Sequence, residues 1–202
     1  MIPISDERES GKFPILTITL ILINAVVFLF IFFNLDFFIQ EFGFIPEKVK
    51  NGERLYTFLS SLFIHASFSH LIGNLWFLWI FGDNVEAKIG RIKFLILYFL
   101  SGLGSLILFS FTTSNKTIPV VGASGAISGI LGAYLVLFPK NKIKAIVPFF
   151  YFYRIVSIPA LFYIGIWFLY QFLYMSVDPI VAYWGHIGGV LTGLFLIKIF
   201  SK

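Results

Sequence analysis

Residues 120–131 read V-V-G-A-S-G-A-I-S-G-I-L, a run of glycine, alanine and serine at the start of a hydrophobic stretch. Two readings compete for it. Ser124, flanked by Gly122 and Gly125, can be approached closely by another backbone, and a helix starting there points unpaired N–H groups at its neighbour. Both are requirements of an acyl-transfer site. Ser124, Ser128 and Gly132, like Gly125 and Gly129, also recur every four residues, which is the small-residue stripe by which membrane helices pack closely. The rest of the chain has to decide between them.

Of the 202 residues, 58% are hydrophobic and 12% are charged, against a charged fraction of about 25% in soluble domains. The chain therefore reads as an integral membrane protein. No removable signal pattern precedes the first hydrophobic run, so that run is expected to stay in the membrane. The absence of cysteine excludes disulfides, thiolate metal sites and a cysteine nucleophile. The net charge of +5 is scattered between the hydrophobic runs rather than gathered in a stripe, which argues for cytoplasmic loops and against nucleic acid.

Six apolar runs predict an all-α membrane protein, a six-transmembrane-helix bundle forming a single domain over residues 1–202. The first, 13–35, is long enough at ~1.5 Å per residue to cross a core of ~30 Å. The others are 68–81 and slightly beyond, 94–112, 124–138, 157–174 and 182–200. Residues 1–12 are polar and too short to fold alone, so a mobile cytoplasmic tail is expected. Residues 36–57 mix charge with Phe37, Phe38, Phe42 and Phe44 and suit a long interfacial loop. Residues 83–93 read as a charged turn, 147–153 as an aromatic re-entry among Lys140, Lys142, Lys144 and Arg154, and Asp178 with Pro179 as another turn. The fourth run spans only ~22 Å at helical rise, so one of its ends must lie inside the membrane's thickness. If that end is the start, Ser124 sits in a cavity below the surface. In the sixth run Gly185, Gly189 and Gly193 again repeat every four residues, a second close-packing face.

Basic residues divide unequally between the two sides this arrangement creates. Arg8, Lys12, Lys88, Arg91, Lys93, Lys140, Lys142, Lys144, Arg154, Lys198 and Lys202 fall on one, and Lys48, Lys50, Arg54 and Lys116 on the other. The richer side is expected to be cytoplasmic and to hold both termini. The second, fourth and sixth spans then begin on the extracytoplasmic side, with His70 and Asn74, Ser124, and His186 respectively. Polar and ionisable groups inside a membrane are costly and tend to mark function.

The chemistry this layer permits is nucleophilic catalysis. Serine needs a base, and imidazole, with an ordinary pKa of ~6.5, serves near neutral pH. His186 is the candidate. His70 and Asn74, four apart on one helical face, can aim N–H groups at a developing oxyanion together with the backbone N–H of Ser124. No carboxylate is well placed to orient His186, so a Ser–His dyad is expected, with no cofactor. His65 reads as structural, in support of His70. The three histidines are also the inventory of a metal site such as zinc, a weaker fit without a carboxylate or cysteine nearby. The rival from another class is a non-catalytic binding module or transporter using the same polar cavity. The lack of buried carboxylates or an evident inverted repeat disfavours a transporter.

The ordered set of motifs resembles the rhomboid family of intramembrane serine proteases from about Phe58 onward. F-I-H-A-S-F-S-H-L-I-G-N resembles the family's H-x-x-x-x-H-x-x-x-N, and F-G-D-N-V-E-A-K-I-G its charged turn. V-G-A-S-G-A-I-S-G resembles its G-x-S-G box, and Y-W-G-H-I-G-G-V its last-span histidine. G-x-S-G alone also occurs in unrelated hydrolases; the set in this order is specific. The resemblance implies Ser124 as nucleophile, His186 as its base, and His70 and Asn74 as oxyanion donors. It also implies hydrolysis of peptide bonds in or beside transmembrane segments of substrate proteins, near their extracytoplasmic ends, in what is expected to be a prokaryotic cell membrane. Two departures stand out. Some members carry an aromatic residue four positions after the serine, where this chain has Ser128, and the family's Trp-Arg pair in the first long loop has no clean match around Arg54.

Overall fold

The computed structural model describes residues 1–7, 13–150, 152–175 and 181–200. In chain order these form β1 (Ile2–Ser5), α1 (Ile15–Ile31), a 3-10 turn at Phe32–Asn34, and the short helices α2 (Leu35–Phe42), α3 (Pro46–Lys50) and α4 (Thr57–Ser60). There follow α5 (Phe68–Ile89), α6 (Arg91–Thr112), α7 (Ser124–Leu137), the strands β2 (Lys142–Phe149) and β3 (Phe152–Pro159), then α8 (Ala160–Tyr174) and α9 (Tyr183–Phe200). Among the described residues three helical stretches are long and apolar enough to cross a membrane: Ile15–Phe42, Arg91–Thr112 and Tyr183–Phe200. α7 and α8 are apolar but shorter.

α7 is the axis of the bundle. From Gly125 to Tyr134 every one of its residues is buried, against α5, α6 and α9. Its glycines allow this. A Cβ added at Gly132 would lie 2.6 Å from the carbonyl oxygen of Val190 on α9, and one added at Gly188 would lie 2.8 Å from that of Gly104 on α6. The backbones therefore touch directly, and van der Waals packing can hold helices together where the surrounding lipid is as apolar as the side chains. The repeat of Gly185, Gly189 and Gly193 expected to form a packing face does so: the Cβ positions of Gly189 and Gly193 fall on the carbonyls of Gly125 and Gly129.

The stretch 83–93, expected as a charged turn, is helix up to Ile89, and one residue, Gly90 at φ +83°, turns the chain from α5 into α6. Its two acidic residues, Asp83 and Glu86, are buried, and Glu86 has its partners far away in sequence. Glu86 accepts from the backbone N–H groups of Leu16 (3.0 Å) and Thr17 (2.8 Å) and from the Thr17 hydroxyl (2.9 Å). α1 follows Pro14 and has no side-chain cap of its own, so the carboxylate on α5 satisfies its first donors and opposes its dipole, a combination worth about 1–2 kcal/mol. α5 itself is capped by Ser67, whose hydroxyl accepts from the N–H of His70 at 3.1 Å.

The all-α expectation is corrected by a three-stranded sheet in the order β1-β2-β3. Residues 147–153 are not a membrane re-entry; they belong to a hairpin whose register runs from Lys142 opposite Pro159 to Phe149 opposite Phe152. The run is rich in Ile, Val and aromatics, with Ile143 and Ala145 buried and Lys142 and Lys144 exposed, the period of two that a half-buried strand requires. Residues 157–159, expected to begin the fifth span, are strand as well. Nor are residues 1–12 simply a mobile tail: Ile2–Ser5 pairs with β2, with Pro3 opposite Ala145, and the Trp76 indole donates to the Pro3 carbonyl at 2.6 Å. Asp6 then accepts from Asn84 (2.6 Å) and Tyr134 (2.7 Å). Burial of Asp6, with Asp83 close by, pushes its carboxyl up to about 6. Arg8, Lys12, Lys202 and the Asp178–Pro179 turn lie outside the described residues.

The interfacial stretch 36–57 is not a plain loop, since it contains α2 and α3. It is laced to the segment that enters α7. Phe44 and Val120 exchange both backbone bonds at 2.9 and 2.8 Å, the Glu47 N–H reaches the Lys116 carbonyl, and the Gly122 N–H reaches the Ser61 carbonyl at 2.9 Å. Arg54, at φ 52°, clasps the Gln40 carbonyl and the Glu41 carboxylate at 2.7 Å each.

Candidate active site

α7 begins at Ser124. The serine therefore occupies the first turn, where backbone N–H groups have no partner within the helix. The preceding Gly122 stands at φ +114°, a conformation that residues with a Cβ rarely adopt. A Cβ there would also lie 2.6 Å from His70 Nε2 and 3.9 Å from Asn74 Nδ2. This is the close approach for which a glycine is needed: the turn before Ser124 lies directly on the His70 ring. Gly125 serves another purpose. Its Cβ position is taken by the Ser105 side chain of α6, so it shapes the site only through helix packing.

His186, in the first turn of α9, places Nε2 2.9 Å from Ser124 Oγ. α9 can bring the imidazole this near because Gly185 and Gly189 flank it on the face that meets α6 and α7. Its other nitrogen, Nδ1, lies 2.8 Å from Oε1 of Gln171 on α8. The rings of Trp167 and Tyr183 stand at 6.0 and 6.3 Å from the imidazole. Ser128, which occupies the position of the expected aromatic, donates to the Ser124 carbonyl at 2.7 Å and is spent on its own helix. What flanks His186 instead comes from α8 and from one turn earlier on α9.

Asn74 donates one amide hydrogen to the His70 carbonyl at 2.9 Å, which leaves its second hydrogen for another acceptor. His65 packs its ring edge-on against His70 at a centroid distance of 5.1 Å. The three histidines do not gather around one point: among the described residues no group of three His, Cys, Asp or Glu side chains is close enough to share a metal ion. Both ring nitrogens of His186 are already engaged.

The structure thus brings Ser124, His186, His70, Asn74 and Gly122 to one end of α5, α7 and α9. Sequence reasoning missed the role of Gln171. The signal was present, since Gln171 is the one strongly polar residue of an apolar helix and so implies a buried partner. What sequence did not supply was the identity of that partner, 15 residues away on the next helix.

A family model described as the Rhomboid domain matches residues 52–202. Similar relatives include RHOMBOID-like protein 6, mitochondrial, of Arabidopsis thaliana, 33% identical over 156 residues that cover 74% of this chain and 45% of the relative. The Rhomboid protease GluP of Bacillus subtilis (strain 168) is 33% identical over 138 residues, covering 68% of this chain and 24% of that protein. The putative rhomboid protease YdcA of the same organism is 36% identical over 97 residues, covering 47% and 48%. The chain spans less than half the length of each of these relatives. They come from mitochondria as well as bacteria, so similarity assigns no single compartment.

Proposed function

The chain belongs to the rhomboid family of integral membrane proteins, and on that premise we propose that it is an intramembrane serine endopeptidase. It hydrolyses peptide bonds in or next to transmembrane segments of other membrane proteins. The observation that carries this reading is the 2.9 Å contact between Ser124 Oγ and His186 Nε2 at the start of a buried helix.

In the first half-reaction the Ser124 oxygen attacks the scissile carbonyl carbon while His186 Nε2 takes the hydroxyl proton. The electron pair displaced onto the carbonyl oxygen is met by the Ser124 backbone N–H and by side-chain donors of His70 and Asn74, a role supported by the approach of both to Gly122. Collapse breaks the C–N bond, and the imidazolium hands its proton to the leaving amine, leaving an ester on Ser124. Water, deprotonated by His186, then attacks the ester; collapse breaks the bond between the acyl carbon and the Ser124 oxygen, the imidazolium returns its proton to that oxygen, and the acid is released. A substrate helix must unwind first, because its own hydrogen bonds hide the carbonyl, so segments with small or helix-breaking residues are favoured.

Six spans with both termini cytoplasmic, in one domain and with the site opening toward the extracytoplasmic side of a prokaryotic cell membrane, complete the reading. The excess of basic residues on one side supports it. Cysteines introduced at Ser114 and Lys142, both exposed, are expected to label from opposite sides, and labelling from one side would overturn the arrangement. The direct test of the chemistry is a serine-directed phosphonate. It should attach to Ser124 and block cleavage of a single-span substrate, chelators should leave the rate unchanged, and cleavage that persists in folded Ser124→Ala ends the proposal.

A further inference from the structure

On the reading that Ser124 and His186 act as nucleophile and base, we infer that Gln171 is the positioning residue that fixes which nitrogen of His186 carries the proton. Gln171 is 2% exposed, whereas its neighbours on α8, Leu169, Tyr170, Phe172 and Leu173, are exposed. An amide drawn inward on an otherwise apolar helix is costly unless both of its ends are bonded. Both are. Nε2 donates to the Trp167 carbonyl one turn earlier at 2.9 Å, which turns Oε1 toward His186 Nδ1 at 2.8 Å.

The consequence follows from donor and acceptor chemistry. An amide oxygen only accepts, so the Nδ1 facing it must carry the hydrogen. In a neutral imidazole Nε2 is then bare, and at 2.9 Å from Ser124 Oγ it can only receive a hydrogen from the serine. The opposite tautomer would set a lone pair against the Gln171 oxygen and an N–H against Ser124, and that histidine could not act as a base. Trp167, four residues before Gln171 and therefore on the same face of α8, stands against the imidazole ring. One face of α8 thus supplies both the tautomer and the ring position that, among the described residues, neither a carboxylate nor an aromatic at residue 128 provides.

The test uses the full chain in detergent with 15N-labelled histidine, the His186 signals being identified by their loss in His186→Ala. In the parent, His186 is expected to show a protonated Nδ1 and a bare Nε2. Gln171→Leu keeps the bulk but removes the acceptor. Both nitrogens should move toward averaged shifts, and kcat should fall about 10- to 100-fold with KM within about 2-fold, a smaller loss than that caused by the wrong tautomer in a charged triad. Gln171→Glu restores an acceptor and should restore the Nδ1–H signal and most of kcat, a rescue that a purely structural role would not give. A Gln171→Leu protein with the parental tautomer and the parental kcat overturns the inference. If that variant does not fold, Gln171→Met, long and apolar, carries the same expectations. Should the parent neither cleave a substrate nor take up a phosphonate, the proposed function falls, and the tautomer readout in Gln171→Leu alone decides the role of Gln171.

Discussion

At one end of α5 and α7 stand His70, Asn74 and Ser124; at the other, about 15–24 Å along α5 and about 15 Å along α7 at helical rise, stand Asn84, Glu86 and Tyr134. Both clusters put polar groups into an apolar bundle, where each needs a partner. The second cluster is closed. Glu86 caps α1, and Asn84 and Tyr134 converge on Asp6, so its bonds tie the N-terminal segment and the first helix to the core. The first cluster is open: Asn74 has a second amide hydrogen beyond the one it gives to the His70 carbonyl, and its nitrogen and the His70 ring both approach Gly122, two residues before Ser124. Buried polarity alone therefore does not mark a reactive site. What separates the two is how far the donors are used up by bonds within the fold.

Substitutions should separate the ends cleanly, and the largest effect belongs to the open one. Ser124→Ala and His186→Ala are each expected to lower kcat by at least ~10⁴-fold, with the double variant hardly worse, since members of such a unit fail together. Melting temperatures should stay within a few degrees of the parent. Multiplying losses in the double variant would mean that the two residues do not form a unit. Asn74→Ala comes next, at roughly 10- to 10³-fold in kcat with little change in KM; an effect on KM alone would move Asn74 out of the open cluster and into substrate binding. At the closed end Glu86→Ala should cost about 2 kcal/mol by orphaning the first donors of α1, while activity per folded molecule is retained. A loss of kcat without a loss of stability would erase the distinction.

The smallest expected effect is a pH slope. The Asp6 carboxyl sits at about 6 in the fold, above its ordinary 3.8. Between those values the folded chain holds a proton that the unfolded chain has released. The contribution of Asp6 to stability is therefore greatest below about pH 4 and is lost as pH rises through 6, by about 1 kcal/mol once the partial exposure of Asp6 is allowed for. Asp6→Asn, neutral throughout, should flatten this decline when unfolding midpoints are compared between pH 4 and 7. An unchanged slope would remove Asp6 from the closed cluster.

The two ends were also unequally legible in sequence. Ser124, His186, His70 and Asn74 announce themselves because polar residues at the starts of apolar runs have few structural excuses, and the four-residue glycine repeats on α7 and α9 state their own packing. Asp83, Asn84 and Glu86 look like a turn, because charge in an apolar chain suggests water unless a partner is known. Those partners, Thr17 and Asp6, lie 69 and 78 residues earlier. The sheet was hidden for a related reason: the aromatic mass of the β2–β3 hairpin suggests lipid, although its alternation of Ile143 and Ala145 with Lys142 and Lys144 is that of a strand.

The pairing of Ile2–Ser5 with a strand that begins at Lys142 has a consequence for the order of events during synthesis. A ribosome adding ~5–20 residues per second leaves β1 without its partner for on the order of ten seconds, during which α1, α5, α6 and α7 are all made. Residues 2–5 thus emerge before these helices and find their place after them, and the resistance of residues 1–7 to a protease added during synthesis would time the moment at which the bundle closes.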